Sequence, residues 1–234
     1  MRENCYRCFR AKSVCFCDEI NPISTNSKFL ILMHPKEARK ERVGTGRLAH
    51  LAMTNSEIVI DKTFDDSKII SKIKNDNTII LYPGPDSCKT KRLNTLDTIN
   101  LNRPLNVLLI DGTWPCAKSM MRDSYILHNI PKVSFQNTYQ SKFSIKHQPD
   151  NFCLSTIESI YYFLDELNDL GIESLGDSHN ILLTTLQKLV KIQKECAKDP
   201  LRKKYGRGFF KNPKERKTSI NRNQRKIYFD KNNY

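Results

Sequence analysis

A carboxylate, a glycine, a hydroxyl and the chain's single tryptophan follow one another at Asp111-Gly112-Thr113-Trp114. They stand where the apolar run Leu105–Ile110 ends. At the end of a strand Asp111 can serve as a general base or orient a ligand amine; it can equally cap the helix expected after Pro115. Thr113 can cap the same helix. Trp114 offers a large flat face for stacking, or plain packing.

Two further groups of residues have spacings that suit chemistry. Cys5, Cys8, Cys15 and Cys17 form C-x2-C-x6-C-x-C, four thiols in a segment too short to have much core of its own. Tetrahedral zinc is the preferred reading, because a metal supplies the order that such a segment lacks. An iron–sulfur cluster or simply reduced surface cysteines are the alternatives. Cys88, Cys116, Cys153 and Cys196 stand alone and read as small buried hydrophobes. His34, Glu37, Arg39, Arg42, Thr45 and Arg47 cluster just after another apolar run. They can hold phosphate or carboxylate, or they can form a solvated, salt-bridged face. The Tyr82–Pro85 loop can offer backbone groups to a ligand or be a turn. Glu158 can close a capping box with Ser155 or point into the same cleft.

The elements that must position these residues alternate. Apolar runs at Lys28–Met33, Glu57–Asp61, Asn77–Leu81, Leu105–Ile110 and Val133–Phe135 read as strands. Helical patterns fall on Leu48–Met53 (opened by the loop Gly44–Arg47), Lys68–Lys74, Pro115–Leu127, Ser155–Leu170 and Ser178–Glu195. The fold class is therefore α/β with a mainly parallel sheet. The expected division is a cysteine-rich segment at 1–22, a catalytic domain at 28–197 and a basic tail at 198–234. In open sheets of this kind ligands bind at the carboxyl ends of the strands, which puts Asp111 in the foreground. Neither GxGxxG after the first strand nor GxxxxGK[ST] is present, so the usual dinucleotide and nucleoside-triphosphate signatures are missing.

The chain has 234 residues and a formal net charge of +14. Its charge is concentrated at the ends: residues 199–234 carry a net +9 and residues 1–42 a net +4. Such an arrangement points to a polyanion partner, nucleic acid before a phospholipid surface, with a solubilising tail as the plain alternative. No run of eighteen apolar residues and no apolar signal core occur, so a cytoplasmic protein without membrane spans is expected.

Taken together, these pieces resemble the DTW-domain family of tRNA-uridine aminocarboxypropyltransferases over roughly residues 5–195. The N-terminal cysteines come first. His34-Pro35-x-Glu37 with Arg42 and Thr45-Gly46-Arg47 is similar to the family's HPxE…R…NTGRL segment, with Gly44 in place of the usual Asn. Tyr82-Pro83 resembles its strand-end loop, Asp111–Trp114 with Ala117-Lys118 its defining motif, Leu127 with Ile130-Pro131 its L…LP, and Ser155-Thr156-x-Glu158 its closing STxE.

The resemblance implies transfer of the 3-amino-3-carboxypropyl group of S-adenosylmethionine to N3 of a uridine in tRNA, with 5′-methylthioadenosine released. The usual bacterial target is position 47 in the variable loop. It also implies kinship with the SPOUT class, hence a C-terminal trefoil knot around the cofactor. Asp111, Thr113 and Trp114 become the catalytic candidates. Leu81, Tyr82, Pro83, Asp111, Gly112, Leu154, Ser155, Thr156 and Glu158 become candidates for the cofactor site. His34, Glu37, Arg42, Thr45, Arg47 and Lys146 are those for the substrate, tRNA rather than DNA; Lys146 lies where the family has a Leu-Arg pair. The rivals are a SPOUT-type RNA methyltransferase, the same transfer onto rRNA, and a non-catalytic zinc-bearing RNA-binding protein.

Overall fold

The computed structural model describes residues 3–40, 44–65, 77–145 and 152–198. The helix expected at Lys68–Lys74, the candidate residues Arg42 and Lys146, and the basic tail from residue 199 onward lie outside these. The chain divides into two compact units, Met1–Val190 and Lys191–Tyr234. The cysteine-rich segment and the sheet both belong to the first.

Among the described residues six strands form one sheet: β1 (Lys28–Met33), β2 (Ser56–Ile60), β3 (Thr78–Leu81), β4 (Cys88–Lys89), β5 (Asn106–Asp111) and β6 (Lys132–Ser134). Their order is β2-β1-β5-β3-β6-β4, and every pairing is parallel. Strands of such a sheet are covered on both faces, which is why β1 reads KFLILM with every residue after Lys28 buried. The described helices are α1 (Pro35–Lys40), α2 (Thr45–Leu51), α3 (Trp114–Asp123), α4 (Tyr125–His128), α5 (Thr156–Asp169) and α6 (Asn180–Lys198).

Strand order locates the place where a ligand fits. From β1 the chain leaves to β2 on one side; from β5, the neighbour of β1, it leaves past β3 to β6 on the other. Connections that part in opposite directions open a crevice outside the carboxyl ends of the two strands. Register pairs Met33 with Asp111, so β1 and β5 end side by side at this crevice. The backbone N–H of His34 donates to Asp111 O at 2.8 Å and pins the two ends together.

Three local expectations change. Gly44–Arg47 is not a loop before the helix: Thr45, Gly46 and Arg47 are the first turn of α2 itself. The charged stretch after His34, which lacks an apolar stripe, forms α1. The single helix expected over Pro115–Leu127 is two. At Ser124 the backbone turns extended (φ −116°, ψ 93°), and the Asp65 carboxylate accepts the N–H groups of Tyr125 and Ile126 at 3.0 and 2.8 Å. A carboxylate sixty residues away thus caps a new helix in mid-pattern.

After β6 the chain is stapled to α5 by two buried carboxylates. Glu166 accepts the N–H of Gln136 and of Asn137 and the hydroxyl of Tyr139, at 2.9–3.1 Å. Glu158, fully buried, accepts the N–H of Lys142 at 2.6 Å and the hydroxyl of Ser141 at 2.9 Å. Tyr139 also stacks on Tyr162, with ring centroids 3.9 Å apart. These contacts settle where α5 begins, and α5 begins at the crevice.

Candidate active site

Asp111 is the last residue of β5, and its side chain is buried. Oδ1 accepts the hydroxyl of Thr156, the first residue of α5, at 2.5 Å. The rest of the carboxylate lies against the first turn of α2. A Cβ on Gly46 would stand 2.5 Å from Asp111 Oδ2 and 2.8 Å from Cγ, so the absence of a side chain at residue 46 is what makes room for the carboxylate. The helix after β5 takes Thr113, not Asp111, as its N-cap residue. Asp111 is thereby turned toward α2 and α5.

Arg47, next to Gly46, is half-buried. Burial lowers its pKa and the charge of Asp111 raises it, so the two ionised groups sense one another. Its Nη2 donates to Ala38 O at 3.1 Å, and its guanidinium lies 4.2 Å from the ring centroid of Phe9. His34 is buried at the end of β1. Its Nδ1 accepts the N–H of Lys36 at 3.0 Å, a cap for α1 that requires this nitrogen to be unprotonated. Burial lowers the pKa of His34, with Lys36 and Lys62 adding to the effect. Glu37 and Thr45 are buried in the first turns of α1 and α2.

The remaining candidates surround this centre. Gly112 follows Asp111 closely packed, with room for a Cβ only at 3.3 Å from that of Cys116 and 3.5 Å from that of His34. Thr113 is exposed and Trp114, the first residue of α3, half-buried. Leu81, Tyr82 and Pro83 leave β3, the other neighbour of β5, at the same end of the sheet; Tyr82 N–H donates to Val133 O at 3.0 Å and its ring packs on the core. Leu154 and Ser155 lead into α5. Glu158 accepts both the N–H and the hydroxyl of Ser155, at 2.8 and 2.6 Å, besides the two donors of the 141–142 loop. This arrangement makes Glu158 an organiser of the α5 entrance, and Thr156 the residue of that motif that meets Asp111.

Gly46, Phe9 and Glu166 were not singled out from sequence for the roles they take. Gly46 left no mark, because the sequence reads Gly44–Arg47 as a loop, where a glycine needs no packing reason. The partners of Phe9 and Glu166 lie far away in the chain and left no local mark.

The four N-terminal cysteines converge. Their sulfurs all lie within 4.8 Å of one another, with Cys5–Cys17 at 4.0 Å and Cys8–Cys15 at 3.8 Å. Tetrahedral thiolates around zinc are separated by about 3.8 Å, so the donor set fits that ion. Backbone N–H groups, that of Cys8 foremost, bring the Cys5 thiol down to about 6, whereas burial pushes that of Cys17 up. Both thiols would give up their protons on ligating a divalent cation. Arg10 supplies a second observation. It is buried and senses the sulfurs of Cys8, Cys15 and Cys17, and among the described residues its Nε and Nη1 meet no nitrogen or oxygen acceptor. A buried guanidinium in that position is matched by the net negative charge of a four-thiolate metal centre.

A parallel sheet with its polar residues gathered at a crevice outside two carboxyl strand ends, one of them a buried carboxylate, defines an α/β protein built like an enzyme. Comparison with known families carries this further: the model of the DTW domain matches residues 2–194, and the chain belongs to that family. A Drosophila melanogaster protein named tRNA-uridine aminocarboxypropyltransferase 2 is 29% identical over 200 residues, covering 82% of this chain and 75% of its own. The Macaca fascicularis protein of the same name is 28% identical over 166 residues, and there the match spans 67% of this chain but only 54% of the relative. An Arabidopsis thaliana tRNA-uridine aminocarboxypropyltransferase A is 23% identical over 224 residues, 84% of this chain and 83% of its own. No solved structure gives a significant match.

Proposed function

We propose that the protein transfers the 3-amino-3-carboxypropyl group of S-adenosylmethionine to N3 of a uridine in tRNA. The observation that carries this reading is Asp111: a buried carboxylate at the end of β5, held between the Thr156 hydroxyl and the side-chain-free face of Gly46. The names of the relatives supply the reaction class.

S-adenosylmethionine brings an electrophilic methionyl carbon attached to a sulfonium, a leaving group that requires no further activation. The chain's own part is to prepare the nucleophile and hold the geometry. Asp111 accepts the N3 proton, directly or through a water, as the N3–carbon bond forms; the carbon–sulfur bond breaks and its electron pair stays on sulfur, giving neutral 5′-methylthioadenosine. Thr156 keeps the carboxylate aimed, and burial keeps competing water away from it. Arg47 matches a carboxylate or a phosphate oxygen, Ser155 and Thr113 the polar atoms of the amino-acid portion, and the backbone at Leu81–Pro83 and Leu154–Ser155 the adenine. Trp114 and Gly112 shape the wall beside them. His34, Glu37 and Thr45 extend the site toward the RNA; Arg42 and Lys146, which lie outside the described residues, are proposed as further RNA contacts on their charge alone.

In the same reading the four cysteines hold a structural zinc, and the basic tail contacts the tRNA backbone in the cytoplasm. The stretch after β6, tied down by Glu166 and Glu158, is part of a SPOUT-like knot. No described helix is long and apolar enough to cross a membrane.

The test is mass spectrometry of both products after incubation with S-adenosylmethionine and unmodified tRNA. Methylthioadenosine and a nucleoside heavier by about 101 Da are expected, and mapping of the modified residue tests position 47. Adenosylhomocysteine with a gain of about 14 Da makes the protein a methyltransferase. Transfer onto rRNA alone moves the substrate, and RNA binding without any product leaves a binding protein.

A further inference from the structure

The cysteine segment touches the active site through one side chain whose conformation asks for an explanation. Phe9 lies between Cys8 and Arg10 in the left-handed region, at φ 59°. The hairpin-like turn that holds it is closed by Phe9 N–H to Cys5 O at 2.8 Å and Cys5 N–H to Arg10 O at 2.7 Å. Glycine is the residue suited to such a turn; a bulky aromatic there is strained, and strain of this kind persists where the side chain is used. Phe9 is not buried in the segment's small core, as it is 53% exposed. Its ring faces the Arg47 guanidinium, 4.2 Å away. Arg47 in turn follows Gly46, the residue against which the Asp111 carboxylate rests.

We propose that Phe9 is a positioning residue: through its ring, the metal-binding segment holds the Arg47 guanidinium in place beside Asp111 to grip an oxyanion of a substrate. The two ends of this contact are independently fixed. The turn that carries Phe9 is tethered by Cys5 and Cys8, two of the four gathered thiols. Arg47 is oriented on its other side by the carbonyl of Ala38. Stacking on an aromatic face leaves the edge of a guanidinium, with its fork of donors, free to meet a carboxylate or phosphate. The oxyanion is either the carboxylate of S-adenosylmethionine or a phosphate of the RNA, and the KM values tell which. This inference rests on the reading proposed above for its kinetic consequence, but not for the contact itself.

The experiment compares Phe9→Gly, Phe9→Leu and Phe9→Tyr in the full chain. Glycine relieves the left-handed strain, so Phe9→Gly is expected to keep its zinc and to melt at the same or a higher temperature. It should nonetheless lose about tenfold in kcat/KM, mostly through KM for the ligand that Arg47 grips. Phe9→Leu keeps bulk without a π face and should show the same kinetic loss; Phe9→Tyr should restore activity. Arg47 is also followed by its rate of modification with an arginine-specific dicarbonyl reagent, read by peptide mass spectrometry, which is expected to rise severalfold in Phe9→Gly and Phe9→Leu and not in Phe9→Tyr. An unchanged modification rate in Phe9→Gly overturns the proposal, as does a Phe9→Gly protein that melts lower and loses zinc. A raised rate in a protein whose wild type yields no transfer product keeps the positioning role and removes the proposed reaction instead.

Discussion

Adding a single methyl group at Gly46 tests the core of the site. The Cβ of Gly46→Ala would fall 2.5 Å from Asp111 Oδ2, where ordinary contact begins at 3.4 Å. One or both groups must therefore give way by about 0.9 Å, and α2 is less free to move than a side chain because its first turn is buried. Displacing the carboxylate by that amount stretches the 2.5 Å bond from Thr156 out of the hydrogen-bonding range. A misplacement of about 1 Å in a catalytic group is worth roughly 10²-fold in rate, so kcat for transfer should fall by about two orders of magnitude. Stability moves far less. Losing a hydrogen bond to a charged group costs about 1.5–3 kcal/mol, and alanine returns up to about 1 kcal/mol of helix propensity. The net loss of about 0.5–2 kcal/mol lowers Tm by roughly 1–8 °C. Kinetics are measured as methylthioadenosine formed per enzyme with tRNA saturating, and stability by calorimetry. A Gly46→Ala enzyme turning over within about twofold of wild type would refute the close approach and the role given to the Asp111 carboxylate.

Four further predictions follow from the same geometry. Asp111→Ala should retain fold and tRNA affinity while losing about 10²–10⁴-fold in transfer; unchanged turnover removes the carboxylate from the mechanism. Cys5→Ser combined with Cys8→Ser should abolish bound zinc, and an unaltered zinc-to-protein ratio by elemental analysis would sink the four-cysteine centre. Glu166→Gln leaves the donors of Gln136, Asn137 and Tyr139 poorly matched and should destabilise the chain by about 3 kcal/mol, or roughly 6–12 °C; a denaturation midpoint within error of wild type contradicts the staple. His34 has its folded pKa lowered by burial, so the unfolded chain binds the proton more readily. Its contribution to stability is present above the ordinary value of 6.5 and is lost as pH falls below it and through the lowered folded value. His34→Asn, which keeps a capping acceptor without titrating, should flatten this part of the stability curve; an unflattened curve assigns the acid sensitivity to other groups, among them His50, whose pKa burial also lowers.

Much of the architecture was legible in local pattern. A strand buried on both faces writes itself as an unbroken apolar run, and β1, β3 and β5 did so within a residue of their ends. The long helices α5 and α6 have wide apolar stripes that periodicity detects. The short elements escaped for the opposite reason. Helix α1 has too few turns to show a stripe, and β4 is two residues long. The break between α3 and α4 is imposed by Asp65, which no window around Ser124 contains.

The division is similar at the site. Residue types and spacing marked Asp111–Trp114, the His34–Arg47 segment, the Ser155–Glu158 motif and the four cysteines as candidates, each with a plain structural alternative, and the order of these motifs along the chain, which resembles that of the DTW-domain family, joined them into one candidate site. Which of them meet is a different matter. Strand order brings the ends of β1 and β5 together, α5 delivers Thr156 to Asp111, the missing side chain of Gly46 makes room for the carboxylate, and the cysteine segment sets Phe9 on Arg47. Each of these contacts joins residues more than thirty apart in sequence. They arise from the packing of whole elements, so only the tertiary structure decides them, while the sequence by itself determines which groups are available to be brought together.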